Sequence, residues 1–540
     1  MVKLLRIALF IALICAVKTS WADTSCLNIT SIDPNGNPIT LSSVGVTQCH
    51  YISKSSGSNS NSGTSESSPW ASLPGMPSCS GSCGSYTPSA GDAFILRGGD
   101  SWTSSDLGVT WNWGGSGSSS QIYIGVDPDW YNSSQCGSSW CRPIWNFSGT
   151  SHANAFLASS NKSYWWLDNI EMTAMCNGEN GVYVQGAQNI RASQLYFHGW
   201  THCVSSNNVG FFSQGGSGAT ADHNIIDGSD SSKNTFNAFY SYWSTIQYNY
   251  IQYVASGLIG GSDILHDNVL KNTVISADGD HCNGLFTFYP ESGNSQLIYN
   301  NVVAMGKACP GGVNMWFNGN AGSNSNWVGY GFGNVFYNTS GGNLVNFGNH
   351  GTANYGTYYF VNNTVDCSNG GCGGYPSSGP YWSIYDQNNH VIGGSYLPLT
   401  PPSGGNVIGP CSYGAGTGCN DLSQSESTAK GQGYTSTETS PYCPASGCTS
   451  STCSTVQKGA NLTSAVCSGL QSINTDAYNA CIKSGSAGCI YNTTNHTLTC
   501  PNHAANARPA SGAWDIGAYQ YSSAQGQTPA PPTNLQYTVK

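Results

Sequence analysis

Asp278-Gly279-Asp280-His281 brings two carboxyl groups and an imidazole within four residues, in a chain where only 8% of the side chains are charged. Histidine, lysine and aspartate are the residue types that transfer protons as general acids and bases. Three more such residues occupy comparable turns between apolar segments. The candidate catalytic set is therefore Asp278, Asp280, His281, Lys233, Lys307 and His202.

Asp227 and Asp230 lie in the same kind of turn and are candidate metal ligands. Ca²⁺ prefers six to eight oxygen ligands, so carboxylates grouped in this way predict a calcium site. The structural alternative is that aspartates in such turns cap backbone amides. A histidine such as His223 or His266 could likewise serve only to extend a ladder of stacked side chains.

A repeat in the sequence would bring these distant residues together. Its unit is an asparagine or glutamine beside strand-forming residues, and successive units starting from Asn169 are separated by 25, 30, 25, 19, 33, 33 and 29 residues. The repeats are Asp168-Asn169-Ile170, Gln194-Leu195, His223-Asn224-Ile225, Tyr248-Asn249-Tyr250, Asp267-Asn268-Val269, Asn300-Asn301-Val302, Gly333-Asn334-Val335 and Asn362-Asn363-Thr364. Periods of this length indicate stacked units that bury a core only against their neighbours.

Each repeat is followed by a second apolar segment, such as Gly181–Val184, Ala238–Tyr242 or Gly312–Phe317. Two or three strands per repeat, separated by Gly, Asn and Ser turns, predict a parallel β-helix. The asparagines should form a ladder in which each side-chain amide bonds to the next one at the strand spacing of about 4.8 Å.

Two further segments make the chain resemble the right-handed parallel β-helix proteins of the pectate-lyase-like superfamily, of the secreted bacterial type. The segment from Tyr51-Ile52-Ser53 to Arg97-Gly98-Gly99 looks like their entry coil, and Trp514-Asp515-Ile516-Gly517-Ala518-Tyr519 is similar to their closing coil. The resemblance implies an all-β right-handed solenoid and a polysaccharide as the partner. It does not select an activity, because that superfamily includes lyases, hydrolases, epimerases and non-catalytic adhesins.

Two mechanisms fit the candidate residues. In a lyase, Lys233, Lys307 or His281 would remove the C5 proton of a uronic acid while a cation neutralises its carboxylate. In a glycoside hydrolase, two of the aspartates would act as acid and base. A third alternative is a non-catalytic glycan-binding or adhesive protein. Exposed aromatic residues would stack on sugar rings, and the candidates for this role are Tyr240, Tyr242, Phe288, Tyr289 and Trp316.

The formal net charge of −10 argues against a nucleic-acid partner, since phosphate binding needs a basic surface. Residues Met1–Ala22 combine Lys3 and Arg6 with an apolar run and a small-residue cleavage site. This pattern predicts a secretory signal peptide, and no later segment is apolar enough for a membrane span. The mature chain should therefore be secreted and free of the membrane.

The chain contains 22 cysteines, many of them in close pairs such as Cys79/Cys83, Cys136/Cys141 and Cys367/Cys372. In an exported protein such pairs predict loop disulfides rather than zinc sites. The predicted organisation is a signal peptide (1–22), an N-terminal cap and entry coil (23–100), the β-helix (101–395), a cysteine-rich insertion with some helical spacing (396–507), a closing coil (508–521) and a proline-rich tail (522–540).

Overall fold

The structure is a computed structural model. It describes residues 25–149, 156–176, 180–200, 208–214, 217–231, 236–240, 243–260, 263–274, 283–287, 295–306, 313–317, 327–337, 343–347, 355–368, 373–376, 381–394, 406–408, 421–435, 442, 444–445, 447–485, 488–501 and 506–521. Three long sheets of parallel strands run through this part of the chain, and from Asp92 to Ile392 consecutive strands belong to successive sheets. The predicted parallel β-helix is confirmed.

The first sheet has 13 strands: Gln48–Ile52, Asp92–Gly98, Ile122–Tyr131, Trp165–Asp168, Arg191–Ser193, Thr220–Asp222, Thr245–Gln247, Ile264–His266, Ser295–Tyr299, Val328–Phe332, Tyr355–Val361, Tyr381–Gln387 and Asn406–Ile408. The second has 12: Ser101–Thr103, Ile144–Asn146, Glu171–Thr173, Tyr196–His198, Ile225–Asp227, Tyr250–Gln252, Val269–Lys271, Val302–Ala304, Val335–Tyr337, Thr364–Asp366, His390–Ile392 and Leu422–Gln424. The third has 10: Val109–Trp111, Leu157–Ser160, Asn180–Gln185, Asn208–Gln214, Phe236–Tyr240, Ser256–Gly260, Leu285–Thr287, Val313–Phe317, Asn343–Phe347 and Gly373–Pro376.

Shorter elements flank the three sheets. Antiparallel pairs form between Thr30–Ile32 and Pro38–Thr40, between Lys483–Ser484 and Asn506–Ala507, and between Ile490–Asn492 and Thr497–Thr499. The helical segments are Ser25–Asn28, Leu41–Val44, Gly81–Ser85, Ser133–Cys136, Glu426–Gly431, Thr463–Cys467, Ser468–Leu470 and Thr475–Ile482. The last three lie in Leu462–Ser484, the part of the cysteine-rich insertion where the spacing of apolar residues predicted helix.

The corner between the first and second sheets consists of two residues with distinct roles. The first residue of the corner has a positive φ, for example 54° at His223, 53° at Asn300 and 51° at Asn362. Asn tolerates this left-handed conformation better than most residues with a Cβ. The second residue of the corner points inward and carries the ladder amide. The doubled sequence Asn300-Asn301 therefore places one asparagine in the left-handed turn and the next in the ladder.

The predicted asparagine ladder is present. The side-chain Nδ2 of each member donates to Oδ1 of the next at 2.9–3.1 Å, through Asn224, Asn249, Asn268, Asn301, Asn334, Asn363 and Asn389. The same Oδ1 atoms accept the backbone N–H of the preceding member at 2.9–3.1 Å. Every member is buried, so these bonds satisfy amides that water cannot reach.

The assignments of Asn169 and Gln194 to the ladder were wrong, and Gln194 has φ 55° at the corner position. Asn169 occupies the left-handed corner position, with φ 62°, and Ile170 takes the inward place. Leu195 takes that place in the following coil, where its backbone N–H donates to Oδ1 of Asn224 at 3.0 Å. The two-residue corner explains the error, because an asparagine is favoured at both of its positions.

The interior of the β-helix is an apolar core to which each strand contributes alternate residues. In the second sheet the inward residues of successive strands include Met172, Phe197, Ile226 and Ile251, all buried. The outward residues of the same strands are available for other contacts. The inner face of the second sheet therefore packs on the core, and its outer face carries polar side chains.

Later and earlier parts of the chain cover the outer face of the first sheet. Towards the N-terminal end of this sheet, Arg191 forms a bidentate ion pair with Asp222 at 2.7 Å. Arg191 also donates to the backbone carbonyl of Ile32, in the N-terminal hairpin, at 2.6 Å. Further along, Leu470 and Trp514 belong to an apolar cluster that covers the strands around Tyr330. The N-terminal hairpin and the C-terminal helices thus pack on the same sheet at different coils.

Disulfides connect Cys26–Cys49, Cys79–Cys83, Cys136–Cys141, Cys448–Cys453, Cys467–Cys481 and Cys489–Cys500. Two of these pairs, Cys79–Cys83 and Cys136–Cys141, confirm loop disulfides expected from close spacing. Cys176 and Cys367 are also disulfide-bonded. Among the helices in the described ranges, none has the length and apolar character to cross a membrane.

Candidate functional site

Most of the predicted site residues lie outside the described residues. This is true of all six catalytic candidates, Asp278, Asp280, His281, Lys233, Lys307 and His202, and of Tyr242, Phe288 and Tyr289. Trp316 is placed in the strand Val313–Phe317 of the third sheet, without a description of its side chain. These assignments remain predictions.

Three predicted residues are described. Asp227 is buried at the end of a second-sheet strand, where its Oδ1 accepts the backbone N–H of Ser229 at 2.9 Å. Asp230 follows in the turn, and its side chain is 51% exposed. Tyr240 ends a third-sheet strand and is 40% exposed. Across the described ranges, no three His, Cys, Asp or Glu side chains are grouped as a metal site would require.

Asp230 belongs to a cluster that includes two residues not predicted from the sequence. Its Oδ2 lies 2.7 Å from Nδ1 of His198, and Nε2 of the same ring lies 3.1 Å from Oε1 of Glu171. The other oxygen of Asp230 accepts the backbone N–H of Gly199 at 2.9 Å. The imidazole of His198 is therefore held between two carboxylates, one on each side of the ring.

The parallel register of the second sheet brings these residues together. His198 pairs with Thr173 on one side and with Asp227 on the other. Glu171 pairs with Tyr196 and points outward, because the intervening residue Met172 is buried in the core. Strand alternation thus places Glu171, Tyr196, His198 and Asp227 on one outer face.

A C-terminal hairpin, formed by Ile490–Asn492 and Thr497–Thr499, covers part of this face. The disulfide Cys489–Cys500 closes its base. The half-buried Arg142 donates from Nη1 to the backbone carbonyl of His496 at 2.8 Å, which fixes the tip. His496 stands in the turn with φ 52°, a conformation in which its backbone faces Arg142 and its ring lies on the sheet.

The hairpin contributes an imidazole and a phenol to the cluster. The ring of His496 stacks on Tyr196 with centroids 4.3 Å apart, and the ring of His198 stacks on the same tyrosine at 4.3 Å. The hydroxyl of Tyr491 lies 2.6 Å from Nδ1 of His496. Tyr491 also hydrogen-bonds with Asp227, and its pKa is raised by burial and then by Tyr196 and Asp227. The cluster around His198, Tyr491 and His496 is called the hairpin site below.

The two histidines of the hairpin site carry different charges at neutral pH. Burial works to lower the pKa of His198, but its hydrogen bonds and ion pairs with Asp230 and Glu171 raise the pKa to about 9. Burial lowers the pKa of His496, and the positive charge of His198 lowers it further. A protonated imidazole therefore lies beside a neutral one, and opposed pKa shifts of this kind mark acid and base partners.

The carboxyl group of Asp230 is ionised at neutral pH. Burial tends to raise the pKa of Asp230, but the hydrogen bond and charge of His198 hold it below its ordinary value. A group in this state accepts protons poorly and does not serve as a protonated acid at neutral pH. The site can thus supply a neutral imidazole base, a phenol that relays hydrogen bonds and a fixed imidazolium charge.

His198 could have been found from the sequence, because aligning Leu195 with Asn224 puts His198 beside Asp227. No repeat signal could have found Tyr491 and His496, since the hairpin lies outside the repeats.

No protein-family model matches the chain. No curated protein matches it either. Among solved structures, it is similar to a GH136 lacto-N-biosidase from Eubacterium ramulus, with 12% identity, a TM-score of 0.38 and 66% of each chain covered. It is also similar to a rhamnogalacturonan lyase, with 13% identity, a TM-score of 0.38 and coverage of 69% of this chain and 87% of that one.

A third match is an alginate lyase from Paenibacillus sp. str. FPU-7, with 13% identity and a TM-score of 0.25, over 54% of this chain and 91% of that one. The chain spans slightly less than two thirds of the lacto-N-biosidase. At these identities and scores, the matches assign neither a family nor an activity.

Proposed function

We propose that the chain is an exported polysaccharide lyase that cleaves a uronic-acid-containing glycan by β-elimination at the hairpin site. The observation that carries the proposal is the neutral His496, hydrogen-bonded to Tyr491 and adjacent to the protonated His198. The predicted signal peptide and the disulfides support export.

In this mechanism His496 is the base. If its Nδ1–H donates to the Tyr491 oxygen and the Tyr491 hydroxyl donates to Asp227, the Nε2 lone pair of His496 is left free to accept a proton. Nε2 then takes the C5 proton of the uronate, a double bond forms between C4 and C5, and the C4–oxygen bond breaks. The departing oxygen takes a proton from water.

The acidity of the C5 proton depends on positive charge near the sugar carboxylate. His198 and the half-buried Arg142 supply fixed positive charge near the hairpin site. Lys233, in the same inter-strand segment as Asp230, would add an ammonium group there if placed as predicted, and Lys307 follows a strand three coils further along. Calcium held by Asp227 and Asp230 is the other source proposed from the sequence, and it would have to compete with His198 for Asp230.

An exposed aromatic residue lies one coil beyond Asp227. Only three residues, Tyr253–Ala255, connect the second-sheet strand Tyr250–Gln252 to the third sheet. The corresponding segments of the two adjacent coils, 228–235 and 272–284, contain more residues. Tyr253 is 36% exposed at this step and would offer a ring for stacking on a sugar. The candidates Asp278, Asp280 and His281 belong to the longer turn.

A glycoside hydrolase is the second candidate, because Glu171 and Asp230 form a pair of carboxylates. Such an enzyme needs one carboxyl that stays protonated near neutral pH. The lowered pKa of Asp230 makes this residue a poor protonated acid, so we rank the hydrolase below the lyase as a candidate function. A non-catalytic glycan-binding protein is the third candidate. In such a protein the contacts of the hairpin with the sheet would only stabilise the fold.

The test is to incubate the purified secreted protein with a panel of uronic and neutral polysaccharides, with and without a chelator. A lyase produces unsaturated uronate ends that absorb in the ultraviolet, whereas a hydrolase produces reducing sugar without them. His496→Gln and Tyr491→Phe should each lower the rate by about 10²-fold or more, as expected for loss of a general base or its partner.

Asn495→Ala is the matched control, since Asn495 is an exposed residue of the same hairpin turn and should leave the rate unchanged. Wild-type activity in His496→Gln would refute the assignment of the base. Asp280→Ala and His281→Ala test the site predicted from the sequence. Glycan binding without any cleavage would favour the non-catalytic alternative.

A further inference from the structure

A second place suited to a ligand lies at the N-terminal end of the β-helix, beside the first strand of the third sheet. A hollow of about 230 Å³ is lined there by Tyr86, Trp113, Thr110, Asn112 and the loop from Pro74 to Gly84. It shares no residue with the hairpin site. Its volume is below the 300–1,000 Å³ that is typical of sites for drug-sized molecules, so the occupant must be small.

The walls of the hollow are fixed. The backbone N–H of Thr110 donates to the carbonyl of Gly75 at 3.0 Å, which joins the loop to the strand. The disulfide Cys79–Cys83 closes the other end of the loop. Trp113 packs edge-on against the buried Trp111 with centroids 5.1 Å apart. A preformed cavity avoids the entropy cost of ordering its walls when a ligand binds.

Tyr86 borders this hollow, and hydrogen bonds behind its ring fix its orientation. The hydroxyl donates to Oδ2 of the buried Asp92 at 2.8 Å and lies 2.9 Å from Nε2 of His50. Burial, followed by Asp92, raises the pKa of Tyr86, so the phenol stays neutral. Burial also lowers the pKa of His50 to about 4 and leaves that ring uncharged.

The polarity of the lining limits the kind of ligand. Among the described residues that line the hollow, none carries a charge. Trp113 and Tyr86 pack on the core while keeping part of their rings exposed, and Asn112 and Thr110 are exposed polar side chains. Aromatic rings next to amide and hydroxyl groups match a sugar, which has apolar C–H faces and a rim of hydroxyls.

We propose that the hollow bordered by Tyr86 and Trp113 is a binding site for one neutral pyranose unit of a glycan. The ring of the sugar stacks on Trp113, while Asn112 and Thr110 hydrogen-bond with its hydroxyls and Tyr86 forms part of the wall. A uronate is excluded because no cation in the lining balances its charge, and the buried Asp92 lies behind Tyr86. This site does not depend on the activity proposed for the hairpin site.

The experiment is a binding titration of the full secreted chain with methyl glycosides of neutral hexoses and N-acetylhexosamines, followed by ligand-observed NMR. Methyl glycosides of the matching uronic acids form the second arm. We expect at least one neutral glycoside to bind with a dissociation constant in the millimolar range, as is usual for one stacked ring. Uronates should bind at least tenfold more weakly.

Trp113→Ala should weaken binding tenfold or more. The matched control is Trp140→Ala, another partly buried tryptophan beside a short disulfide loop, Cys136–Cys141, and it should bind as wild type. Because Trp113 also packs on Trp111, a double variant Thr110→Ala/Asn112→Ala provides a second test that leaves the core intact and should also weaken binding.

Three outcomes would overturn the proposal. The first is that no neutral glycoside binds, the second that uronates bind as well as neutral sugars, and the third that both sets of variants bind like the wild type. Cleavage of polysaccharide by the hairpin site is measured separately and can fail or succeed without affecting this result.

Discussion

Asp421 accepts the backbone N–H of Asn389 at 2.6 Å, at the position where each earlier coil provides an asparagine amide oxygen. Asp386 lies beside it and accepts from Nδ2 of Asn389 at 2.5 Å. The ladder therefore ends on two carboxyl groups that interact with each other, the buried Asp386 and the half-buried Asp421. Burial and then the charge of Asp421 raise the pKa of Asp386, and burial raises the pKa of Asp421 to about 7.

This carboxyl pair should make the stability of the last coils depend on pH. Because burial raises the folded-state pKa of Asp421, its contribution to stability is fully present below about pH 4 and is lost as the pH rises through about 7. Asp421→Asn would restore the ladder amide and remove the part of the pH dependence that Asp421 contributes. We expect the free energy of unfolding at pH 8 to increase by on the order of 2 kcal/mol.

The measurement is urea unfolding followed by fluorescence at pH 5 and pH 8, with wild type and Asp421→Asn compared at each pH. The difference between the two proteins should be larger at pH 8. An equal effect at both values would show that the carboxyl pair does not titrate in this interval.

The interior of the ladder should be sensitive to truncation. Asn268→Ala removes the acceptor of the Asn249 amides and the donor to the backbone carbonyl of Ile246, and all of these groups are buried. Unsatisfied buried groups cost about 1–3 kcal/mol each, so we expect destabilisation of about 3 kcal/mol or more. Thermal unfolding measures it, and Asn35→Ala at an exposed turn is the control, with little change expected.

The charge on His198 should depend on its two carboxylate partners. In NMR spectra of protein with ¹³C-labelled histidine, the ring of His198 should titrate near pH 9 in the wild type. Glu171→Gln with Asp230→Asn should lower that pKa below the ordinary value, because burial then acts without the compensating charges. An unchanged titration in the double variant would refute the carboxylate–imidazole–carboxylate arrangement.

The hairpin should detach from the sheet when its disulfide is removed. Cys489→Ser/Cys500→Ser removes the covalent closure of its base and leaves non-covalent contacts, such as those of Arg142, Tyr196 and Tyr491, to hold it. Short loops gain about 2–4 kcal/mol from such a bond. We expect faster protease cleavage between residues 488 and 501 with unchanged β-sheet circular dichroism.

Cys448→Ser/Cys453→Ser is the control, because that disulfide closes a similarly short loop elsewhere in the C-terminal region. It should leave cleavage of the hairpin unaffected. Any activity of the hairpin site should fall in the first variant and persist in the second.

The sequence predicted the β-helix because its periodic signals are local and repeated. Asn224, Asn249, Asn268 and Asn301 each follow a strand and precede an apolar pair, so one physical rule accounts for all of them. The prediction failed at Asn169, where the corner residue and the ladder residue are both compatible with asparagine.

The candidate site was less accessible to prediction. Asp227 and Asp230 were selected from the turns, and Asp230 indeed contacts His198. Tyr491 and His496 reach the site through a hairpin whose position depends on Arg142, on ring stacking and on a disulfide. These long-range contacts leave no periodic pattern in the sequence.

The return of the C-terminal hairpin to strands formed some 300 residues earlier has a consequence for biogenesis. Tyr491 and His496 can reach Tyr196 and Asp227 only after nearly the whole polypeptide has emerged, although the coils can assemble one by one during synthesis. A chain truncated before residue 488 would keep most of its solenoid and lack the base proposed for elimination. Under the proposed mechanism, chains whose synthesis is incomplete would therefore be unable to catalyse the elimination.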